Sequence, residues 1–126
     1  MMKQVIQTNN VPQAIGPYSQ AIMAGDTLYV SGQIPVVPAT GAIVSDKVED
    51  QARQVMENVK AVMEAAGLTL DHVVKTSVFI KNMDDFGTIN AVYSQYFKEN
   101  CPARACVEVA RLPKDVLLEM EAIAVR

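Results

Sequence analysis

Between Val48 and Ala66 the apolar residues return at three- and four-residue steps, at Val48, Ala52, Val55, Met56, Val59, Val62, Met63 and Ala66. Glu49, Arg53, Glu57, Lys60 and Glu64 occupy the other side. This spacing predicts an amphipathic α-helix of about five turns. Asp46 is placed to cap its start, with Glu49 as the capping-box partner three residues on, and Gly67 supplies the left-handed residue that stops it. A helix with one dry side must lay that side on something, and the flanking segments, which change to a period of two, supply it.

Val5 to Gln7, Ser19 to Ala24, Thr27 to Gln33, Val73 to Ile80, Arg104 to Ala110 and Leu117 to Val125 read as strands. Gly25-Asp26 is a hairpin signal between the second and third, and Pro35, Pro38 and Gly41 punctuate a loop. Asp84 or Asp85 opens a second helix whose stripe of Phe86, Ile89, Val92, Tyr93, Tyr96 and Phe97 is core, and Pro102 closes the connection after it. Leu112-Pro113-Lys114-Asp115 joins the last two strands. Strands, helix, strand, helix, strands make an α+β domain spanning residues 1–126, with both helices on one face of a single sheet. The other face then needs a partner. With 50% of its residues apolar the chain has enough greasy surface to cover a subunit interface as well as a core.

Composition removes several classes of function. Eleven Lys and Arg against 14 Asp and Glu give a net charge of −3 without any basic block, a poor footprint for phosphate backbones. One histidine, His72, leaves no multi-His metal site and a single candidate base for a nucleophilic triad; as it follows Asp71 at a helix-to-strand connection, its expected place is a solvated loop. Cys101 and Cys106 form neither a disulfide framework nor a zinc spacing. The N-terminus turns polar before any signal-like run, and no segment approaches the ~20 apolar residues of a membrane span, so a cytoplasmic location is expected.

Chemistry-bearing residues gather toward the C-terminal strands. Alternation sets Arg104, Cys106 and Glu108 on one strand face and Ala105, Val107 and Val109 on the other; Glu119 and Glu121 likewise alternate with Leu118, Met120 and Ala122. The apolar sets suit the helices, so the guanidinium, thiol and carboxylates are expected on the opposite, open face. Taken singly, each has a plain structural role: Arg104, Glu119 and Glu121 as salt-bridge partners, Cys106 as a small buried hydrophobe. Tyr18 is either a turn aromatic or a pocket wall.

Together the segments carry more. Pro102-Ala103-Arg104-Ala105-Cys106-Val107-Glu108-Val109-Ala110-Arg111-Leu112-Pro113-Lys114-Asp115, continuing into Leu118-Glu119-Met120-Glu121-Ala122-Ile123-Ala124-Val125, resembles the signature of the reactive intermediate deaminase (Rid, or YjgF) family. Ala14-Ile15-Gly16-Pro17-Tyr18-Ser19-Gln20, Val30-Ser31-Gly32-Gln33-Ile34-Pro35, Asn58-Val59-Lys60-Ala61 and Asn90-Ala91-Val92-Tyr93 extend the resemblance from end to end. It implies a chorismate-mutase-like α+β fold assembled as a homotrimer, with clefts between subunits. It also implies hydrolytic deamination of 2-aminoacrylate and related enamines or imines, such as 2-iminopropanoate and 2-iminobutanoate, to 2-oxo acids and ammonia without metal or organic cofactor. By position Arg104 corresponds to the carboxylate-binding arginine and Glu119 to the acid that holds the hydrolytic water. Tyr18, Ser31, Gly32, Asn90 and Cys106 correspond to pocket-lining residues.

The residue chemistry agrees with those roles. A 2-imino acid offers one strong handle, its carboxylate, which a guanidinium fork can take by two parallel hydrogen bonds. Hydrolysis then needs water placed against an electrophilic C=N carbon and a group that takes and returns protons. Burial would raise the Glu119 pKa and a nearby Arg104 would lower it. A trimer that only binds a 2-oxo or amino acid is the alternative; a ribonuclease or translation inhibitor, also described in the family, is disfavoured by the acidic balance. Two positions depart from the family pattern: Ala105, where many members have Ser or Thr, and Cys101, where relatives often carry an aromatic.

Overall fold

The computed structural model describes residues 3–126. Six strands, β1 (Lys3–Ile6), β2 (Ala21–Ala24), β3 (Thr27–Gln33), β4 (Val73–Ile80), β5 (Ala103–Glu108) and β6 (Leu118–Val125), form one sheet in the order β1-β2-β3-β6-β4-β5. All neighbours are antiparallel except β4 and β5, which are parallel and joined through helix α2 (Phe86–Tyr96). Helix α1 (Val48–Ala65) connects the β1–β3 half to β4 and packs beside α2 on the same face of the sheet.

Period-two alternation divides the sheet cleanly. Leu28, Val30, Val78, Ile80, Leu118, Met120, Ala122 and Ala124 point to the helices and are buried against Ala52, Val55, Val59 and Val62 of α1 and Ile89, Val92 and Tyr93 of α2. Each large side chain so buried contributes about 1.5–3 kcal/mol relative to exposure. The opposite face carries Ile22, Tyr29 and Ile123 side by side in register, and farther along Phe79 beside Val107, with Tyr29 50% and Val107 46% exposed. One sheet face is thus covered, and the other is open and carries an apolar patch around Tyr29 next to Glu119 and Glu121.

Local signals hold in part. Gly25, at φ 60, opens the two-residue β2–β3 hairpin, and Gly67, at φ 75, ends α1 with its own N–H and that of Leu68 returned to Glu64 and Met63. The capping box expected from Asp46 and Glu49 is absent: Lys47 is the N-cap and makes no side-chain cap bond. Ser45 does the work nearby, accepting from the Lys47 N–H and donating to Asp50, while buried Gln51 donates to the Ser45 carbonyl and accepts from Leu117 N–H. The second helix is entered through a 3-10 turn, Met83–Asp85, whose Met83 N–H is met by Glu108 and whose Asp84 N–H is met by the Asn82 side chain, so neither Asp84 nor Asp85 caps it. His72 does sit in a loop-side 3-10 turn, where its Nδ1 accepts from Thr69 N–H at 3.0 Å.

Buried Asn58 of α1 donates to the carbonyls of Ile34 and Val36 at 3.1 and 3.0 Å and accepts from Gln54 at 2.9 Å. These bonds fasten the loop after β3 onto α1, and that loop forms one wall of the groove described next.

Candidate active site in two halves

The first half lies on and beside β3. Between Val30 and Gln33 the β3–β6 register slips, so Ser31 and Gly32 bulge out of the ladder next to Glu119 of β6. Gly32 has an ordinary φ, yet a Cβ there would run into the Glu119 carboxylate; the acid is folded over the glycine. Ser31 Oγ donates to the Ser19 carbonyl at 2.6 Å, and its N–H donates to the Gln20 carbonyl at 3.0 Å, so both of its protons hold the Tyr18–Gln20 segment in place. Buried Gln20, which the sequence patterns did not single out, accepts from Thr8 N–H and donates to the carbonyls of Thr8 and Pro12. The result is a groove of about 350 Å³ lined by Ile15, Tyr18, Gly32, Pro113 and Lys114 among others, with Tyr18 53% exposed at its edge.

Glu119 is half-buried here, and burial is the main cause that pushes its carboxyl above the usual range; Glu121 next along the face pushes the same way. Within the protomer Arg104 takes no part, because it lies on the other face of the sheet. Substituting Gly32→Ala is expected to cost little stability, because only the far end of one flexible side chain must move. If the Glu119 carboxylate acts on substrate, displacing it should lower kcat about ten- to hundredfold. Thermal melting beside steady-state kinetics separates the two effects.

The second half lies across the sheet. Arg104 of β5 pairs in register with Thr76 of β4, on the helix side, and its guanidinium stands over the rings of Tyr93 at 4.7 Å and Phe86 at 5.4 Å from the centroids. Nη1 donates to Asn90 Oδ1 at 2.8 Å. Cys106, two residues on, packs against the core from the same side, and burial raises its thiol pKa despite Arg104 nearby. Glu108 accepts from Met83 N–H at the entry to α2.

The alternation expected along this strand is present, but its sense is reversed: Arg104, Cys106 and Glu108 face the helices, and Ala105 and Val107 face the open side. The reason is physical. A guanidinium can lie flat on aromatic rings with its stem on apolar surface, and a thiol is itself nearly apolar, so both suit the helix layer at a sheet edge. Ala105 and Val107 are left on the open face, where Val107 stands beside Phe79 in register.

Arg104, Asn90 and Cys106 therefore form one cluster, and Tyr18, Ser31, Gly32 and Glu119 another, on opposite faces of the same sheet. Among the described residues Arg104 makes no ion pair, so its charge is free for an incoming anion. No three His, Cys, Asp or Glu side chains gather as a metal ion would need among the described residues, and no helix is long and apolar enough to cross a membrane.

Comparison with known proteins identifies the family. The chain is 57% identical over 128 residues to a 2-iminobutanoate/2-iminopropanoate deaminase of Salmonella typhimurium, covering 99% of each chain. It is 58% identical over 123 residues to a RutC family protein of Pyrococcus horikoshii, covering 98% of each. Among solved structures, E. coli TdcF with bound serine superposes with a TM-score of 0.94 at 54% identity, over 98% of each chain. A putative endoribonuclease of Thermotoga maritima superposes at 0.97 with 50% identity, over 99% of this chain and 98% of that one. The family described as endoribonuclease L-PSP matches residues 8–126. Near-complete coverage at such identity leaves one conclusion: the chain belongs to the endoribonuclease L-PSP family, in the branch that holds the Rid and RutC proteins.

Proposed function

We propose that this chain is a hydrolase of small 2-imino acids and their enamine tautomers, 2-iminopropanoate and 2-iminobutanoate among them, and that its active site is completed between subunits of a chorismate-mutase-like homotrimer. The observation that carries the reading is the split site: a seated guanidinium with no carboxylate partner on one face, and a half-buried carboxylate over a glycine on the other. Packing the open apolar faces of several copies together brings the Glu119 half of one subunit toward the Arg104 half of the next. The deaminase relatives, more than half identical over almost their whole length, support the same chemistry.

In that cleft Arg104 takes the substrate carboxylate through the edge of its fork not used by Asn90. Glu119, as the carboxylate, takes a proton from water as the water oxygen bonds to the imine carbon. It returns the proton to nitrogen, the C–N bond breaks, and ammonia leaves as the remaining hydroxyl gives up its proton to form the 2-oxo acid. Atoms balance with one water consumed, and positioning with proton transfer is sufficient because imines are already electrophilic. Tyr18, Ser31, Gly32 and Cys106 shape the walls. The ribonuclease activity in the family's description finds no basic stripe in a chain of net charge −3.

The direct test generates 2-aminoacrylate from serine with a serine dehydratase and follows decay of the imine by trapping. Accelerated decay that is lost in Arg104→Ala supports the reading; no acceleration, or undiminished acceleration by that variant, ends it. A pH dependence follows as well. Because the ionised form of Glu119 attacks through water, kcat should fall as pH drops through its pKa, which burial and Glu121 push up in the protomer. Glu121→Gln removes the like charge that helps raise it, so the acid limb of the profile should move to lower pH.

A further inference from the structure

Three residues of α2 spaced as i, i+4 and i+7, Phe86, Asn90 and Tyr93, lie on one stripe of the helix and all meet the Arg104 side chain. Two present ring faces to the guanidinium and the middle one accepts from Nη1. Tyr93 is itself fixed from behind. Its hydroxyl shares a 2.8 Å hydrogen bond with Thr76 Oγ1, a fully buried hydroxyl directly across from Arg104 in the β4–β5 register. Its ring also packs on Phe97 with centroids 4.8 Å apart. Arginine side chains are long and lose much rotamer freedom when held, so a guanidinium that waits in place has been held by something. Here it is held by two rings and an amide, with no carboxylate among the described residues doing so.

We infer that Tyr93 and Phe86 are positioning residues: they hold the plane of Arg104 against α2 so that the edge of the fork left free by Asn90 presents a preformed bidentate site to a carboxylate. This rests on the reading of Arg104 as the carboxylate-binding group and extends it to residues whose spacing alone marks them as core. The consequence is selectivity. A flat, fixed fork rewards a planar anion with two parallel bonds, whereas a loose cation would accept it no better than a point charge does. The seat therefore favours carboxylates over neutral carbonyl analogues of the same size.

The experiment compares binding of 2-oxobutanoate, the product-type carboxylate, with binding of its uncharged amide 2-oxobutanamide, by calorimetry on the assembled protein. Tyr93→Leu is expected to weaken the carboxylate about tenfold and leave the amide unchanged. Tyr93→Phe, which keeps the ring and loses only the Thr76 bond, should stay within about threefold of wild type. Phe86→Leu, at a less buried position and so tolerant of change, should show the same selective loss to a smaller degree. In kinetics, Tyr93→Leu should raise KM for the imino acid with kcat nearly constant. Equal weakening of both ligands, or undiminished carboxylate preference in both leucine variants while Arg104→Ala abolishes it, overturns the inference and leaves the proposed function standing. Undiminished preference in Arg104→Ala overturns the assignment of Arg104 and the inference with it.

Discussion

Chains carrying Arg104→Ala and chains carrying Glu119→Gln, each inactive by itself, are expected to regain about a quarter of wild-type activity when denatured together and refolded as mixed trimers. Glu119→Gln removes the group that moves protons and should cost about 10²–10⁴ in kcat. Arg104→Ala removes one side of a hydrogen-bonded charge pair with substrate, a loss of about 2–5 kcal/mol in the bound state. In the proposed trimer each cleft draws its arginine from one subunit and its glutamate from the neighbour. In a random mixture about one cleft in four receives both intact groups. The geometry behind this is the placement of the two side chains on opposite faces of one sheet, which no movement of a single protomer short of unfolding could reverse. A mixture no more active than the sum of its parts would place the whole site within one chain and sink the intersubunit reading.

Substituting Tyr29→Asp should convert the assembly to monomers and abolish activity while the protomer stays folded. Tyr29 projects from the middle of the open face, between Ile22 and Ile123 in register, and is half exposed in the protomer, so a charge there meets water and costs the isolated fold little. If that face is covered by other copies, the same carboxylate becomes a buried, unpaired charge worth several kcal/mol against assembly. Sizing by light scattering and far-ultraviolet dichroism together read the outcome. A variant that remains an active oligomer would show that the open face is not the contact surface.

The helices and most strands could be read from sequence because each has one dry side, and periods of 3.6 and two are visible in residue order. α1 is the clearest example: its stripe fixes both its type and its buried face. Caps were less legible, since Ser45 and Asn82 do at the helix entries what nearby aspartates could equally have done. The face assignment of β5 went the wrong way for a more general reason. Alternation separates two sets of residues but does not say which set meets the helices. Arginine and cysteine pass as polar in a pattern, although stacked on Phe86 and Tyr93 and packed on the core they behave as apolar neighbours. The split of the site into halves depends on that sign, so it could not be anticipated from the strand itself. Strand order was hidden as well: nothing local marks β6 as the neighbour of both β3 and β4.

That last arrangement reaches into how the chain acquires its shape. β1, β2 and β3 can pair by local hairpins, and β4 and β5 can form through α2, but these are separate pieces with open edges until β6 lies between them. β6 is made after both, and its pairing with β3 joins residues as far apart as Thr27 and Val125. Such long-range closure is slow, and exposed edges are sticky while it waits. Until β6 pairs, the molecule is two half-sheets, and the strand bearing Glu119 is also the one that makes it a single fold.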